Sequence, residues 1–106
     1  MKHIPVLLNS VLETLGDVNN RTIVDCTFGA GGYTRAFLER GARVIAFDRD
    51  NTVINDVKEI QSKYGNKFEF INAAFTEINK LSPNDFDDVV FDLYFCSPIL
   101  VYCLLK

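Results

Sequence analysis

The 106-residue chain has no tryptophan, one histidine and no long apolar segment. Its longest apolar run, Ile99 to Leu105, is far shorter than the ~20 residues that a helix needs to span a bilayer. The N-terminus lacks the apolar core of a secretory signal. The three cysteines, Cys26, Cys96 and Cys103, lack the paired spacing of a metal site, and a single histidine does not complete one. These shortages predict a cytoplasmic protein with reduced thiols, no membrane segment and no metal.

Positive charge is also scarce. The chain has eleven Lys and Arg residues and fourteen Asp and Glu residues, so its net charge is -3. The basic residues are scattered along the sequence. No stretch of the sequence could follow a phosphate backbone, so the chain by itself is expected to attract RNA poorly. Hydrophobic residues make up 48% of the chain and include nine phenylalanines. This composition predicts one small folded domain.

The stretch from Thr22 to Thr34 carries the strongest functional signal. A β-branched run ends on Asp25, and three glycines between Gly29 and Gly32 then allow a tight turn and a close approach to a ligand. The dinucleotide fingerprint requires a third glycine where this chain has Thr34. Asp25 would also repel a pyrophosphate by about 4 kcal/mol at roughly 4 Å and an effective dielectric near 20. The cationic S-adenosylmethionine fits this turn better, and a βα turn without a ligand is the simplest alternative.

Four apolar runs alternate with amphipathic segments along the chain. Strands are expected over residues 22–25, 43–47, 68–71 and 88–93, and helices over residues 5–15, 33–40, 51–64 and 76–81. This alternation predicts an α/β fold in which helices cover both faces of a parallel sheet. Ligands of such sheets bind outside the carboxyl ends of the strands.

Several candidate residues follow these strand ends. Asp48 comes 17 residues after Gly31, close to the ~20 at which an acid meets a ribose, although it could instead cap the next helix. Phe75 follows the third strand and could stack on adenine or be a core residue. Asp92, with Ser97 a few residues later, ends the fourth strand where a methyl donor and its acceptor would meet. The alternative for Asp92 is a bond to loop amides.

Four segments in register resemble the N-terminal third of the bacterial family that methylates the exocyclic amino group of a cytosine in 16S ribosomal RNA. They are residues 3–7, 25–33, 47–50 and 91–93, the last followed by Ser97 and Pro98. The resemblance implies a Rossmann-like class I methyltransferase fold, truncated here after about four parallel strands. It also implies S-adenosylmethionine as cofactor and 16S rRNA or the small ribosomal subunit as partner.

The resemblance assigns roles to individual positions. It implies donor binding by the glycine turn and by the residues after the strands, and the turn itself adds Asp25 and Gly29. The expected donor-binding residues are therefore Asp25, Gly29, Gly31, Gly32, Tyr33, Asp48, Phe75 and Asp92. Asp92 and Ser97 are the candidate catalytic residues, because they could accept hydrogen bonds from the amino group that is methylated.

The chain also departs from the family. Tyr33 stands where many members have histidine, and bulky Tyr94 and Phe95 follow Asp92 where members have small residues. Residues 1–98 are interpreted as the N-terminal part of a donor-binding domain, and residues 99–106 as an unrelated apolar tail, as a changed reading frame would produce. We therefore expect a truncated form that is inactive or binds the donor weakly.

Two further expectations concern partners and alternatives. If the sheet stopped at the fourth strand, that strand would be an exposed edge and would favour self-association. A non-catalytic remnant or regulator that binds S-adenosylmethionine is an alternative function. A fragment of an NAD-binding oxidoreductase is a weaker one.

Overall fold

The computed structural model describes residues 5–26, 28, 29, 31–82, 84–91 and 94–96, with the backbone alone described for 5–7, 75, 76, 91 and 94–96. Three α-helices alternate along the chain with the first three strands of a five-stranded sheet. The elements are α1 (Pro5–Leu15), β1 (Thr22–Asp25), α2 (Gly32–Glu39), β2 (Arg43–Phe47), α3 (Ile54–Tyr64), β3 (Phe68–Ile71), β4 (Asp88–Phe91) and β5 (Tyr94–Cys96). Short 3-10 segments cover Asn51–Val53, Gly65–Lys67 and Phe75–Lys80.

The strand order is β3-β2-β1-β4-β5, with β1 at the centre. β1 pairs in parallel with β2 and β4, and β2 pairs in parallel with β3. Asp25 lies opposite Ala46 in one pair and opposite Val90 in the other. The carboxyl ends of these four strands therefore form one rim, which confirms the predicted α/β fold with a parallel sheet.

Local sequence explains where the helices begin and end. Pro5 suits the first turn of α1 because its fixed φ matches the helix and its missing N–H is not needed there. Gly16 ends α1 with a φ of 70° and donates its N–H to Leu12 O at 3.0 Å. Ahead of α3, the Asp50 side chain accepts from Thr52 N at 2.9 Å. That cap starts a 3-10 turn, so the helix predicted over 51–64 is α-helical only from Ile54.

The fifth strand corrects the prediction of an exposed fourth-strand edge. β5 runs antiparallel to β4, with Phe91 opposite Tyr94 and Val89 opposite Cys96. β4 is thus paired on both sides, so the prediction that its edge is exposed was wrong, and self-association through that edge is not supported. The physical reason is that β5 runs antiparallel beside β4 and completes a ladder of hydrogen bonds with it. Asp92 and Leu93 lie outside the described residues, as does the apolar tail 99–106.

The two faces of the sheet differ in cover. On one face, α2 and α3 pack over a large cluster, with the described side chains of α1 also in contact. Its buried members are Val11, Val18, Ile23, Phe28, Tyr33, Phe37, Leu38, Ala42, Val44, Ala46, Val53, Val57, Ile60, Phe68 and Val90. On the other face, the 3-10 segment Phe75–Lys80 and the loop after it cover a smaller cluster. That cluster contains Val24, Phe47, Ile78, Phe86 and Val89.

Helix length bears on the membrane question. α1 and α3, the longest helices in the described ranges, have 11 residues each. A helix of this length cannot cross a bilayer, and no helix of the described chain meets the length and hydropathy needed.

Candidate functional site

The turn between β1 and α2 requires glycine at residue 31 for two reasons, its backbone conformation and its packing. Gly31 caps α2 with φ 89° and ψ 17°, a left-handed conformation that residues with a Cβ rarely adopt. A Cβ at Gly31 would also lie 2.9 Å from Ile60 Cδ1, which is closer than packed carbons allow. The turn is closed by Gly31 N, which donates to Phe28 O at 2.7 Å. Arg35 N in turn donates to Gly31 O at 2.8 Å. Gly29 has a φ of 52° as well, so the backbone of the turn bends tightly at both glycines.

Asp25 lies under this turn, in the interior. Its side chain is fully buried and accepts a hydrogen bond from Thr34 Oγ1 at 2.6 Å, and Thr34 is fully buried as well. Tyr33, also buried, packs its ring against Phe37 with 6.2 Å between ring centroids. Burial raises the pKa of the Tyr33 phenol, and the charge of Asp25 raises it further. The carboxylate of Asp25 therefore faces the first turn of α2, and direct contact of Asp25 with a ligand stays a prediction.

Asp48 lies on the same rim as the glycine turn. It directly follows β2, and its Oδ2 accepts from Gly29 N at 3.3 Å. Its Oδ1 accepts from Asp50 N at 2.9 Å. One carboxylate thus joins the loop after β1 to the loop after β2, because the parallel register brings the two strand ends side by side.

Asn72 is a third member of this rim that the sequence did not single out. Its Nδ2 donates to the backbone oxygen of Asp48 at 3.0 Å, and Asp48 N donates to Ile71 O at 3.3 Å. The end of β3 therefore holds the backbone of the aspartate at the end of β2. The available signal was its position, since Asn72 follows the third strand just as Asp48 follows the second.

A groove of about 170 Å³ lies beside these two strand ends. Its lining combines apolar and polar residues. The lining residues are Asp50, Asn51, Val53, Ile54, Phe70 and Asn72. Ile54 is 47% exposed, which makes it an exposed large apolar side chain next to the rim.

The charges around the rim are mostly negative. Hydrogen bonds from Thr52 lower the pKa of Asp50, so this carboxyl stays ionised near neutral pH. Arg35, which follows the glycine turn, bonds Glu59 at 2.8 Å and Asp56 at 3.3 Å on α3. Because the positive charge of Arg35 is shared with those two acids, the charges around the rim stay mostly negative. The rim therefore favours a cationic ligand over an anionic one.

The remaining candidates are placed only in part. Gly32 opens α2, and Phe75 opens the 3-10 segment after β3, although the Phe75 side chain is not described. Asp92 and Ser97 lie outside the described residues. In the part of the chain that is described, no group of three or more His, Cys, Asp or Glu side chains could hold a metal ion. The structure thus brings together the glycine turn, Asp25 and Asp48.

A comparison with protein families decides the kinship. The model of the MraW methylase family matches residues 1–101. This chain belongs to the MraW methylase family. The match spans the described elements from α1 to β5, so the strand ends described above belong to the family domain.

Individual relatives support the same kinship. The ribosomal RNA small subunit methyltransferase H of Rickettsia massiliae is 45% identical over 93 residues, which are 86% of this chain and 30% of that protein. The protein of the same name from Rickettsia felis is also 45% identical over 93 residues, again covering 30% of its length. The chain therefore spans about 30% of the length of the curated relatives it matches.

Solved structures show the fold independently. The 1,6-didemethyltoxoflavin-N1-methyltransferase of Burkholderia thailandensis, solved with bound 1,6-didemethyltoxoflavin and S-adenosylhomocysteine, superposes with a TM-score of 0.59. The two are 24% identical, and the match covers 68% of this chain and 30% of that one. The 23S rRNA methyltransferase ErmE gives a TM-score of 0.56 at 21% identity, over 72% of this chain and 30% of that one. These likenesses confirm the Rossmann-like class I methyltransferase fold.

Proposed function

We propose that the rim formed by the glycine turn, Asp48 and the loop after β3 binds S-adenosylmethionine. The observation that carries this proposal is the contact between Gly29 N and Asp48 Oδ2, at 3.3 Å. It brings the glycine turn and a carboxylate from the end of the neighbouring strand to one place. The Burkholderia structure holds S-adenosylhomocysteine on the same fold, which supports this ligand class.

The described groups fit the parts of that ligand. Asp48 can accept hydrogen bonds from the ribose hydroxyls, at about 1.5–3 kcal/mol for each bond to a charged group. The backbone from Gly31 to Tyr33 lies where the amino-acid end would rest, at the positive end of α2. Phe75 is proposed as one wall for adenine, and Asp92 as a further donor contact. The bound cofactor would supply an electrophilic methyl group.

Two features of the turn disfavour a dinucleotide as its ligand. Thr34, where the dinucleotide fingerprint has its third glycine, is fully buried and bonded to Asp25. A carboxylate below the turn also opposes a pyrophosphate. We therefore propose a methyl donor in place of NAD.

For the family to which this chain belongs, we propose methylation of the exocyclic amino group of a cytosine in 16S rRNA. The reaction would take place in the small ribosomal subunit and therefore in the cytoplasm. That nitrogen is a weak nucleophile because its lone pair is conjugated with the ring, so catalysis relies on alignment and on groups that accept its N–H bonds. The target base must also leave its stack. Asp92 and Ser97 are proposed as the accepting groups.

We further propose that the 106-residue chain binds the donor and does not transfer its methyl group to RNA. The support is that the chain carries a net charge of -3, which is unfavourable for holding a polyanion. Incubation of the purified chain with labelled S-adenosylmethionine and small ribosomal subunits should leave the RNA unlabelled. Labelled cytosine would show that the chain is an enzyme by itself, whereas donor binding without transfer agrees with a non-catalytic binding role.

Donor binding is tested by calorimetry on the full chain. S-adenosylmethionine and S-adenosylhomocysteine should give heat, and NAD should not. Asp48→Asn should weaken both active ligands roughly 10- to 100-fold, because it removes the charge that accepts the ribose bonds. Asp17→Asn is the matched control, since Asp17 bonds Asn19 N in the loop after α1, away from the rim. Heat with NAD alone, or equal affinities for Asp48→Asn and the parent, would contradict the proposal.

A further inference from the structure

The bond between Asp25 and Thr34 joins the two ends of the glycine turn. Asp25 is the last residue of β1, and Thr34 is the third residue of α2. Their side chains meet at 2.6 Å between Oδ2 and Oγ1, and both residues are fully buried. A buried hydrogen bond to a carboxylate is strong and directional. The start of the helix is therefore tied to the end of the strand by side chains as well as by the turn.

This tie acts on the residues that would meet the ligand. The backbone bond from Gly31 to Phe28 closes the turn, and the bond from Arg35 to Gly31 begins the helix. Both lie between or beside the two tied residues. If the side-chain bond were lost, α2 could shift relative to β1, and the glycine amides would move with it.

The same bond decides where a negative charge lies. The N-terminus of a helix carries a partial positive charge that attracts anions, and dinucleotide-binding turns use it for pyrophosphate. Here a carboxylate lies under that terminus and offsets its attraction for an anion. The hydroxyl of Thr34 keeps the carboxylate in this orientation, at the position where dinucleotide-binding turns need glycine.

We infer that Thr34 is a positioning residue, which holds Asp25 beneath the turn and thereby sets both the turn's geometry and its preference for a cationic ligand. The charge preference rests on the proposed function, and the geometry does not. The preference concerns the sulfonium of S-adenosylmethionine against the neutral thioether of S-adenosylhomocysteine.

The geometric part is tested on the chain without ligand, by amide hydrogen exchange at Gly31 and Arg35. Thr34→Val has nearly the same shape but lacks the hydroxyl, so both amides should exchange about tenfold faster. Thr34→Ser restores the hydroxyl and should restore slow exchange. Thr14→Val is the matched control, because the Thr14 hydroxyl bonds Ser10 O within α1 on an exposed face. Unchanged exchange in folded Thr34→Val would overturn the positioning role.

The charge preference is tested by the ratio of the two dissociation constants, which uniform loosening would leave unchanged. Thr34→Val and Asp25→Asn should weaken S-adenosylmethionine about three- to tenfold more than S-adenosylhomocysteine, and Thr34→Ser should keep the parent's ratio. Equal weakening of both ligands would overturn the charge preference.

A parent chain that binds neither ligand would contradict the proposed function, and the charge preference with it. The exchange experiment would still decide whether Thr34 positions the turn. Circular dichroism on each variant establishes that it is folded, and Asp25→Asn provides a second route to the ratio if Thr34→Val does not fold.

Discussion

Carboxylates lie at both ends of the sheet, and their partners differ. At the amino-terminal end, Asp88 bonds the guanidinium of Arg21 through Nε at 3.2 Å and Nη2 at 2.8 Å. At the carboxyl rim, Asp48 accepts from two backbone amides, and none of the ion pairs within the described ranges includes it. A carboxylate with a cationic partner stabilises the fold, whereas one held by neutral amides keeps its charge available to a ligand.

The conformation of the backbone does not separate the two ends. At the amino-terminal end, Thr22 N in the first residue of β1 donates to Asp87 Oδ2 at 2.8 Å. At the rim, Gly31 has a φ that other residues rarely adopt. Left-handed backbone occurs at the other end as well, at Asn20 with a φ of 64° before β1 and at Gly41 with a φ of 88° before β2. The partners of the carboxylates therefore distinguish the two ends of the sheet, with an ion pair at one end and backbone amides at the other.

The largest effect is expected from Gly31→Ala. The methyl group would meet Ile60 Cδ1 at 2.9 Å and force alanine into a φ of +89°, which together should cost about 2–4 kcal/mol of unfolding free energy. Donor binding should fall below detection. Gly16→Ala is the matched control, because Gly16 has a φ of +70° and no atom within 4 Å of its added Cβ. It should cost about 1 kcal/mol in urea unfolding; equal losses in the two variants would show that Ile60 does not limit the turn.

An intermediate effect is expected from Asn72→Ala. It removes the hydrogen bond to the backbone oxygen of Asp48, which should cost about 1 kcal/mol of stability and about fivefold in donor affinity. Both quantities come from calorimetry and urea unfolding of the same preparation. Asn84→Ala, in the exposed turn before β4, serves as the control. If donor affinity is unchanged in folded Asn72→Ala, the loop after β3 does not position Asp48.

The smallest effect is expected from Arg21→Gln at the opposite end. The Arg21 side chain is 43% exposed, so loss of its pair with Asp88 should cost only about 0.5–1 kcal/mol. The hydrogen bond and charge of Asp88 raise the pKa of Arg21, and the pair's contribution should shrink as salt is added. Donor affinity should match that of the parent. A loss of affinity would remove the distinction between the two ends of the sheet.

Much of the fold could be predicted because its signals are local. β2 and β3 lie over the predicted residues, and α1 ends before Gly16 as expected. Asp48 was assigned to the rim for a topological reason, since parallel strands bring their carboxyl ends together. A three-residue strand such as β5 has no periodicity of its own, and its pairing with β4 is visible only in three dimensions.

The candidate site shows the same limit. Asn72 resembles an ordinary residue of a turn, and its role emerges only from its distance to the backbone of Asp48. Asp25 was expected to attract a ligand directly, yet it is fully buried and bonded to Thr34. The sequence shows that the third glycine of the dinucleotide fingerprint is missing. The hydroxyl that replaces it was not recognised as a bond donor, because the geometry of the turn determines whether two side chains nine residues apart can meet.

By itself, the sequence determined the order of strands and helices, the position of the glycine turn and the aspartates at the strand ends, because these depend on residue types close together in the chain. Only the tertiary structure decided that β4 is paired on both sides, that Asn72 holds the backbone of Asp48 and that Thr34 holds Asp25 under the turn. Hydrogen bonds between distant residues depend on distances of a few tenths of an ångström. Such distances are set by the packing of the whole domain.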